Sequence, residues 1–166
     1  IHSPSCPFVL ASAPDFEHPT DGATSARYTY IVQVRATNTA GNTSNQTVTV
    51  TVADVDEIPP NITGPSGAAG AATSAKTINE NTTAVHTFTA NETVTWSLVG
   101  GEDQAEFTIN ATRGALVFAA APDFENQKDG ATSGSKTYIV QVRATDQAGH
   151  TTNQTCNVTG AAVDED

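Results

Sequence analysis

One offset organises this sequence. Ala13-Pro14-Asp15-Phe16-Glu17 returns as Ala121-Pro122-Asp123-Phe124-Glu125, and residues 30–37 return as residues 138–145, both displaced by 108 positions (123 − 15 = 108; 138 − 30 = 108). The same displacement carries Asn45-Gln46-Thr47 onto Asn153-Gln154-Thr155 and Val55-Asp56-Glu57 onto Val163-Asp164-Glu165, with no insertion between. The chain is therefore about one and a half copies of one unit. Ile1 aligns with Ile109, so the first copy begins in mid-unit. The expected division is 1–57, the C-terminal half of a first repeat with three strands and a linker, followed by 58–166, one complete repeat.

The spacing of apolar residues gives the unit its class. No window carries helical periodicity long enough for a helix, whereas short alternating runs bounded by Gly, Asn and Asp recur. In the complete copy they predict strands near 77–79, 86–90, 94–98, 107–109, 115–119, 137–144 and 155–159. Val140 and Val142 should face inward while Gln141 and Arg143 face water. In the first copy Val48, Val50 and Val52 alternate with Thr47, Thr49 and Thr51, the pattern of a half-buried antiparallel sheet. Seven strands in roughly a hundred residues predict an all-β, seven-strand Greek-key β-sandwich of cadherin or immunoglobulin type, arranged in tandem. Trp96, with Val94 and Leu98 on its face, reads as the core aromatic.

Charge narrows the function. The chain has 166 residues with 7 Lys+Arg against 18 Asp+Glu, a net charge of −11. So few cations cannot form the basic stripe that nucleic acid or an anionic membrane surface requires. No apolar run approaches the ~20 residues that span a bilayer. There is no methionine, even at the start, so the chain reads as a processed or excised piece of a longer protein. Two cysteines are too few for a disulfide scaffold. Cys156 occupies the inward strand position of Val48 and Cys6 that of Gly114 in a turn, so a buried, unpaired Cys156 is expected.

Enzymatic readings find little in the sequence. His2, His18, His86 and His150 lack metal-binding spacing, and neither a nucleophile elbow nor a phosphate-cradling glycine motif occurs. His86 reads as an ordinary strand histidine. Asp123 and Glu125 could pair as glycosidase carboxylates, but nothing nearby shapes a pocket. Not an enzyme is the expectation. Asparagine is more telling: Asn42, Asn45, Asn61, Asn81, Asn91, Asn110, Asn153 and Asn157 all begin N-x-[ST] triplets, sequons for N-linked glycosylation, 8 of 11 asparagines, and the expectation is an exported glycoprotein. With 37 Ser+Thr in 166 residues, chance would give about 2.5, although duplication and Thr-rich strands inflate the count.

In order along the chain, several motifs carry a family resemblance. The stretch 107–116, Phe-Thr-Ile-Asn-Ala-Thr-Arg-Gly-Ala-Leu, then Ala121-Pro122-Asp123-Phe124-Glu125, then residues 138–146 resemble the F-x-I-x-x-x-T-G-x-I, L-D-[FY]-E and V-x-A-x-D motifs of cadherin repeats. Asn79-Glu80-Asn81 resembles the P-E-N motif, and residues 54–60, from Asp54 to Pro60, resemble the D-x-N-D-N-x-P linker. The Thr/Asn/Ala-rich strands resemble the cadherin-like repeats of large bacterial surface adhesins. There are departures. Ala90-Asn91-Glu92 keeps one carboxylate where the family has a D-x-D pair, Asn38 stands where the second copy has Asp146, Arg113 replaces a Thr, and Ala162 stands where the first linker has Asp54.

The resemblance implies calcium as cofactor. It would gather Asp15, Glu17, Asp54, Asp56, Glu57, Glu92 and Asp146 at the junction entering the complete repeat, and it marks Glu80, Asp123 and Glu125 as further metal-ligating acids. Calcium takes six to eight oxygen ligands. Unneutralised carboxylates that close repel by on the order of a few kcal/mol, so metal would turn a flexible string into a rod. The other reading of these acids is solvated surface charge. The function implied is that of a non-enzymatic extracellular or cell-surface adhesin whose repeats are calcium-stiffened spacers. The partners would be neighbouring repeats or identical chains by strand pairing, and possible surface glycans or other cells. Two alternatives stay open: a self-assembling filament subunit whose half-copy is completed by strand exchange, and a carbohydrate- or partner-binding module.

Overall fold

The computed structural model describes residues 8–17, 29–123 and 136–163; Cys6, His2, His18 and Glu125 lie outside the described residues. The chain divides into two compact units, Ile1–Asp56 and Glu57–Asp166. Among the described residues the secondary structure is all-β apart from one 3-10 turn, Gln104–Glu106. Among the described residues no helix is long and apolar enough to cross a membrane.

The first unit holds one antiparallel hairpin, β1 (Thr29–Thr37) and β2 (Thr43–Thr51). Its turn closes because Asn38 Oδ1 accepts the backbone N–H groups of Ala40 and Asn42, both at 3.0 Å, and because Gly41 takes φ +86°, a conformation open to glycine at little cost.

In the second unit the strands are β3 (Ile62–Thr63), β4 (Thr73–Asn79), β5 (Ala84–Thr87), β6 (Thr89–Ala90), β7 (Thr95–Gly100), β8 (Phe107–Ile109), β9 (Ala115–Phe118), β10 (Thr137–Thr145) and β11 (Thr151–Ala161). A four-stranded sheet runs β4-β11-β10-β7 and a three-stranded sheet runs β5-β9-β8, with β3-β6 as a short separate pair. Every pairing is antiparallel except β4 with β11. The two larger sheets sandwich one core: Val85, Phe107, Leu116 and Phe118 from one, and Ile78, Trp96, Tyr138, Val140, Val142, Ala144, Cys156 and Val158 from the other. Burying each of the larger side chains contributes about 1.5–3 kcal/mol before entropy is subtracted. Phe118 packs on Phe107 at 4.3 Å between ring centroids and meets Tyr138 edge-on at 5.0 Å, joining the layers.

All seven expected strand regions carry strand here, but the segments differ. The strand expected over 86–90 breaks at Phe88, whose backbone N–H leaves the ladder for Gly114 O at 2.9 Å while its ring is buried. The pair β3 escaped the sequence reading because a two-residue strand has no period to detect. In the first copy, the third expected strand is absent: Phe8, Val9 and Leu10, which align with Leu116, Val117 and Phe118 of β9, are not in a strand. A strand exists only through its partners, and within that unit the only described pairing is β1 with β2.

Alternation along β10 follows expectation, with Tyr138, Val140, Val142 and Ala144 buried and Gln141 and Arg143 only half-buried. Cys156 carries a free, buried thiol. Burial pushes that thiol above its ordinary pKa, against a hydrogen bond with Ser74. Gln154 is a fully buried polar side chain, and it is satisfied at both ends. Ser74 Oγ donates to its Oε1 at 2.9 Å and its Nε2 donates to Ala71 O at 2.7 Å, so it adds specificity without the cost of an orphan group.

Candidate cation sites at the two ends of the complete repeat

β11 sets the positions of the acids in the second unit. Its residues 155–161 run parallel to β4 in register from Thr155↔Thr73 to Ala161↔Asn79. Glu80 therefore sits where β11 ends. β10 runs the other way, with Thr145↔Thr151, so Asp146 sits where β11 begins. At ~3.3 Å per residue these two ends are about 33 Å apart.

At the far end, Glu80 is a buried residue, 2% exposed. Its Oε1 accepts the backbone N–H of Val163 in the segment that leaves β11, and its own N–H donates to Ala161 O at 3.0 Å. Asn81, at φ +59°, donates its N–H to Pro122 O at 2.9 Å, which brings the exposed Asp123 to the same end. Glu125, which the sequence named as a metal-ligating acid, lies outside the described residues.

At the near end, Asp146 is a loop-closing residue first. Its Oδ1 accepts the backbone N–H groups of Gly149 at 2.7 Å and His150 at 2.8 Å, and its Oδ2 lies 3.0 Å from His150 Nδ1. Burial by itself would raise the carboxyl's pKa. The hydrogen bonds from His150 and Gly149 and the imidazole's charge outweigh it, so the carboxyl sits below its ordinary value. Thr145 pairs with Thr95 of β7, which puts the turn holding the half-buried Glu92 at this same end. The sequence reading missed His150 as the partner of Asp146. A signal existed: Asn38 and Asn42 of the first copy change together to Asp146 and His150 at the same offset.

The remaining expected ligands belong to loops and linker. Asp15 and Glu17 are exposed in the first unit, where Glu17 N–H donates to Asp15 Oδ1 at 3.0 Å. Asp54, Asp56 and Glu57 are exposed. Seven of the eight sequon asparagines (Asn42, Asn45, Asn61, Asn81, Asn91, Asn110 and Asn153) are exposed, and Asn157 is half-buried on β11.

Burial of aromatics bears on the carbohydrate reading. Trp96, Phe88, Phe107, Phe118 and Tyr138 are all in the core, so the described aromatic rings of the second unit are not available to stack on a sugar, while in the first unit Phe8 is exposed and Phe16 and Tyr30 are half-buried.

No protein-family model matches the sequence, and no curated protein matches it. Solved structures do. The chain is similar to Drosophila N-cadherin EC1-4 with a TM-score of 0.52 and 21% identity, over 89% of this chain and 36% of that one. It is similar to Drosophila N-cadherin EC1-3 with a TM-score of 0.50 and 21% identity, over 88% and 45%, and to EC1-3 of a mouse clustered protocadherin with a TM-score of 0.50 and 17% identity, over 82% and 44%. The fold is thus the β-sandwich of cadherin extracellular repeats. The chain spans less than half the length of each of these structures.

Proposed function

We propose that this chain is a non-enzymatic, extracellular or cell-surface adhesive and structural segment whose cadherin-type repeats are stiffened by calcium at their boundaries, in the manner of a large surface adhesin. The observation that carries this reading is the placement of carboxylates at opposite ends of one sandwich: Glu80 and Asp123 at one, Glu92 and Asp146 at the other. A spacer that is to be locked to its neighbours needs its charge at its ends.

Donor chemistry supports the far end. Glu80, Asp123 and backbone carbonyls are hard oxygen donors of the kind calcium takes, and Glu80 is already tied to the segment leading out of the repeat. The near end fits with one condition. Asp146 uses Oδ1 on backbone N–H groups and Oδ2 on His150, so it could serve a cation only as the imidazole gives way. Bound calcium would supply positive charge that offsets carboxylate repulsion. The chain's own residues supply the rigid frame, through the cap at Asp146 and the tie at Glu80. The linker acids Asp54, Asp56 and Glu57, with Asp15 and Glu17, are proposed as the complementing donors of the near boundary, and Glu125 of the far one.

The test is thermal denaturation and solution scattering in millimolar calcium and in chelator. Calcium should raise the melting temperature and lengthen the particle, because a ligand bound only by the ordered junction stabilises it by mass action. Identical curves in both buffers would sink the reading.

A second reading has its own observation. In the first unit Val32, Val48, Val50 and Val52 are only half-buried, and Val34 and Ile31 are 46% and 72% exposed. Residues 29–52 carry a single charge, Arg35. In a strongly acidic chain this nearly uncharged, partly apolar hairpin is a patch where two copies repel little, which favours pairing between identical chains through its face or edges.

A further inference from the structure

The eight sequons are not used by the function proposed above, and the structure separates them. Asn45 Oδ1 accepts Arg35 Nε at 3.0 Å, and its repeat mate Asn153 accepts Arg143 Nε at 2.9 Å. Asn91 Oδ1 accepts the backbone N–H of Asn61 at 2.6 Å. Asn110 Oδ1 accepts the N–H groups of Thr112 at 3.0 Å and Arg113 at 2.9 Å. In each case the partner can only donate, so the orientation of the amide is fixed by chemistry: oxygen inward, nitrogen outward. All four residues are exposed, and the side-chain hydrogen bonds described for them all run through Oδ1.

That arrangement suits one modification. From it we infer that Asn45, Asn91, Asn110 and Asn153 are acceptors of N-linked oligosaccharide. The glycosidic bond forms at Nδ2 and leaves Oδ1 an amide acceptor, so every hydrogen bond just named survives attachment. In the transfer, Nδ2 attacks C1 of a lipid-diphosphate-linked oligosaccharide. The N–C1 bond forms as the C1–O bond breaks, the lipid diphosphate leaves with the electron pair, and the amide proton passes to the transferase's base. The hydroxyls at the +2 positions are Thr47, Thr93, Thr112 and Thr155. Asn157 is the contrast. It is half-buried between Ala75 of β4 and Ile139 of β10, and among the described residues no side-chain hydrogen bond orients its amide.

The inference rests on the exported location proposed above, and its test has two arms. The chain secreted from a eukaryotic host is digested, deglycosylated enzymatically in heavy-oxygen water and mapped by mass spectrometry. Separately, folded chain purified from a bacterial cytoplasm is offered to an oligosaccharyltransferase with lipid-linked oligosaccharide. Both should place sugar at Asn45, Asn91, Asn110 and Asn153 well above Asn157, and each Asn→Gln change among the four should remove one step of gel mobility. Folded chain left unmodified at all four in the second arm, or modified equally at Asn157, overturns the inference. The calcium response of the same sample is unaffected by either result, so the two readings fail separately.

Discussion

Gly114 and Phe88 hold each other's backbones at a distance that excludes any side chain on Gly114. Phe88 N–H donates to Gly114 O at 2.9 Å, and a Cβ on Gly114, which sits at φ +68°, would lie 2.5 Å from Phe88 O and 3.0 Å from the Trp96 ring. This contact makes the break between β5 and β6 and seats Trp96 in the core. Gly114→Ala should cost about 2–4 kcal/mol, from left-handed strain and overpacking together. Thermal denaturation should show the midpoint falling by about 10 °C or more.

Stability should fall on the acid side in two separate windows. His86 has its pKa lowered by burial first and by Lys76 second, so the folded state binds its proton less readily than the unfolded chain does. Its share of stability is full above the ordinary histidine pKa and is lost as pH drops through it. Asp146 is also lowered, and its share is likewise lost progressively as pH falls from the ordinary carboxylate value through its depressed folded one. Urea titrations across pH should show His86→Gln flattening the first decline and Asp146→Asn the second. Asp146→Asn should keep the turn, because Asn38 closes the equivalent turn with the same oxygen. Asp146→Ala should be the more damaging change.

Calcium should be read out differently at the two ends. Glu80→Gln retains an oxygen for Val163 N–H and removes the charge, so it should preserve most of the fold while shrinking the calcium-dependent rise in melting temperature. Saturating calcium is worth about 2.7 kcal/mol at a hundred times the dissociation constant, a shift easily resolved. His150→Ala frees Asp146 Oδ2 and should leave calcium affinity equal or higher. A drop in affinity would count against Asp146 as a ligand.

For the first unit's hairpin, sedimentation velocity should show association that grows with chain concentration, and Val34→Asp with Val48→Asp should abolish it. Each buried valine could contribute up to about 1.5–3 kcal/mol. Wild-type chain remaining monomeric at high concentration would remove the pairing reading.

Cys156 should be inert. Its buried thiol should resist alkylation in the folded state and react only on unfolding. Cys156→Ala should cost no more than about 2 kcal/mol, since it removes one buried sulfur and Ser74 keeps its bond to Gln154.

The sequence by itself determined everything that is local along the chain. β1 and β10 have the same nine residues. They pair with β2 and β11 in the same register, Val32↔Val48 matching Val140↔Cys156, and both turns close on a side-chain oxygen at the same position. Strand period and turn chemistry act over a few residues, so identical sequence gives identical hairpins. Tertiary structure decided what those hairpins are worth. Val140, Cys156 and Val158 are fully buried, while Val32, Val48 and Val50 are only half-buried, because the second sheet of the complete copy comes from residues distant in the chain. The same distance explains what the sequence concealed. Gln46 and Gln154 are the same residue at the same position, yet only Gln154 is buried, bonded to Ser74 and Ala71 eighty or more positions away. The acids behave likewise: motif order named Glu80 and Asp146, but only strand register put them at opposite ends of the sandwich.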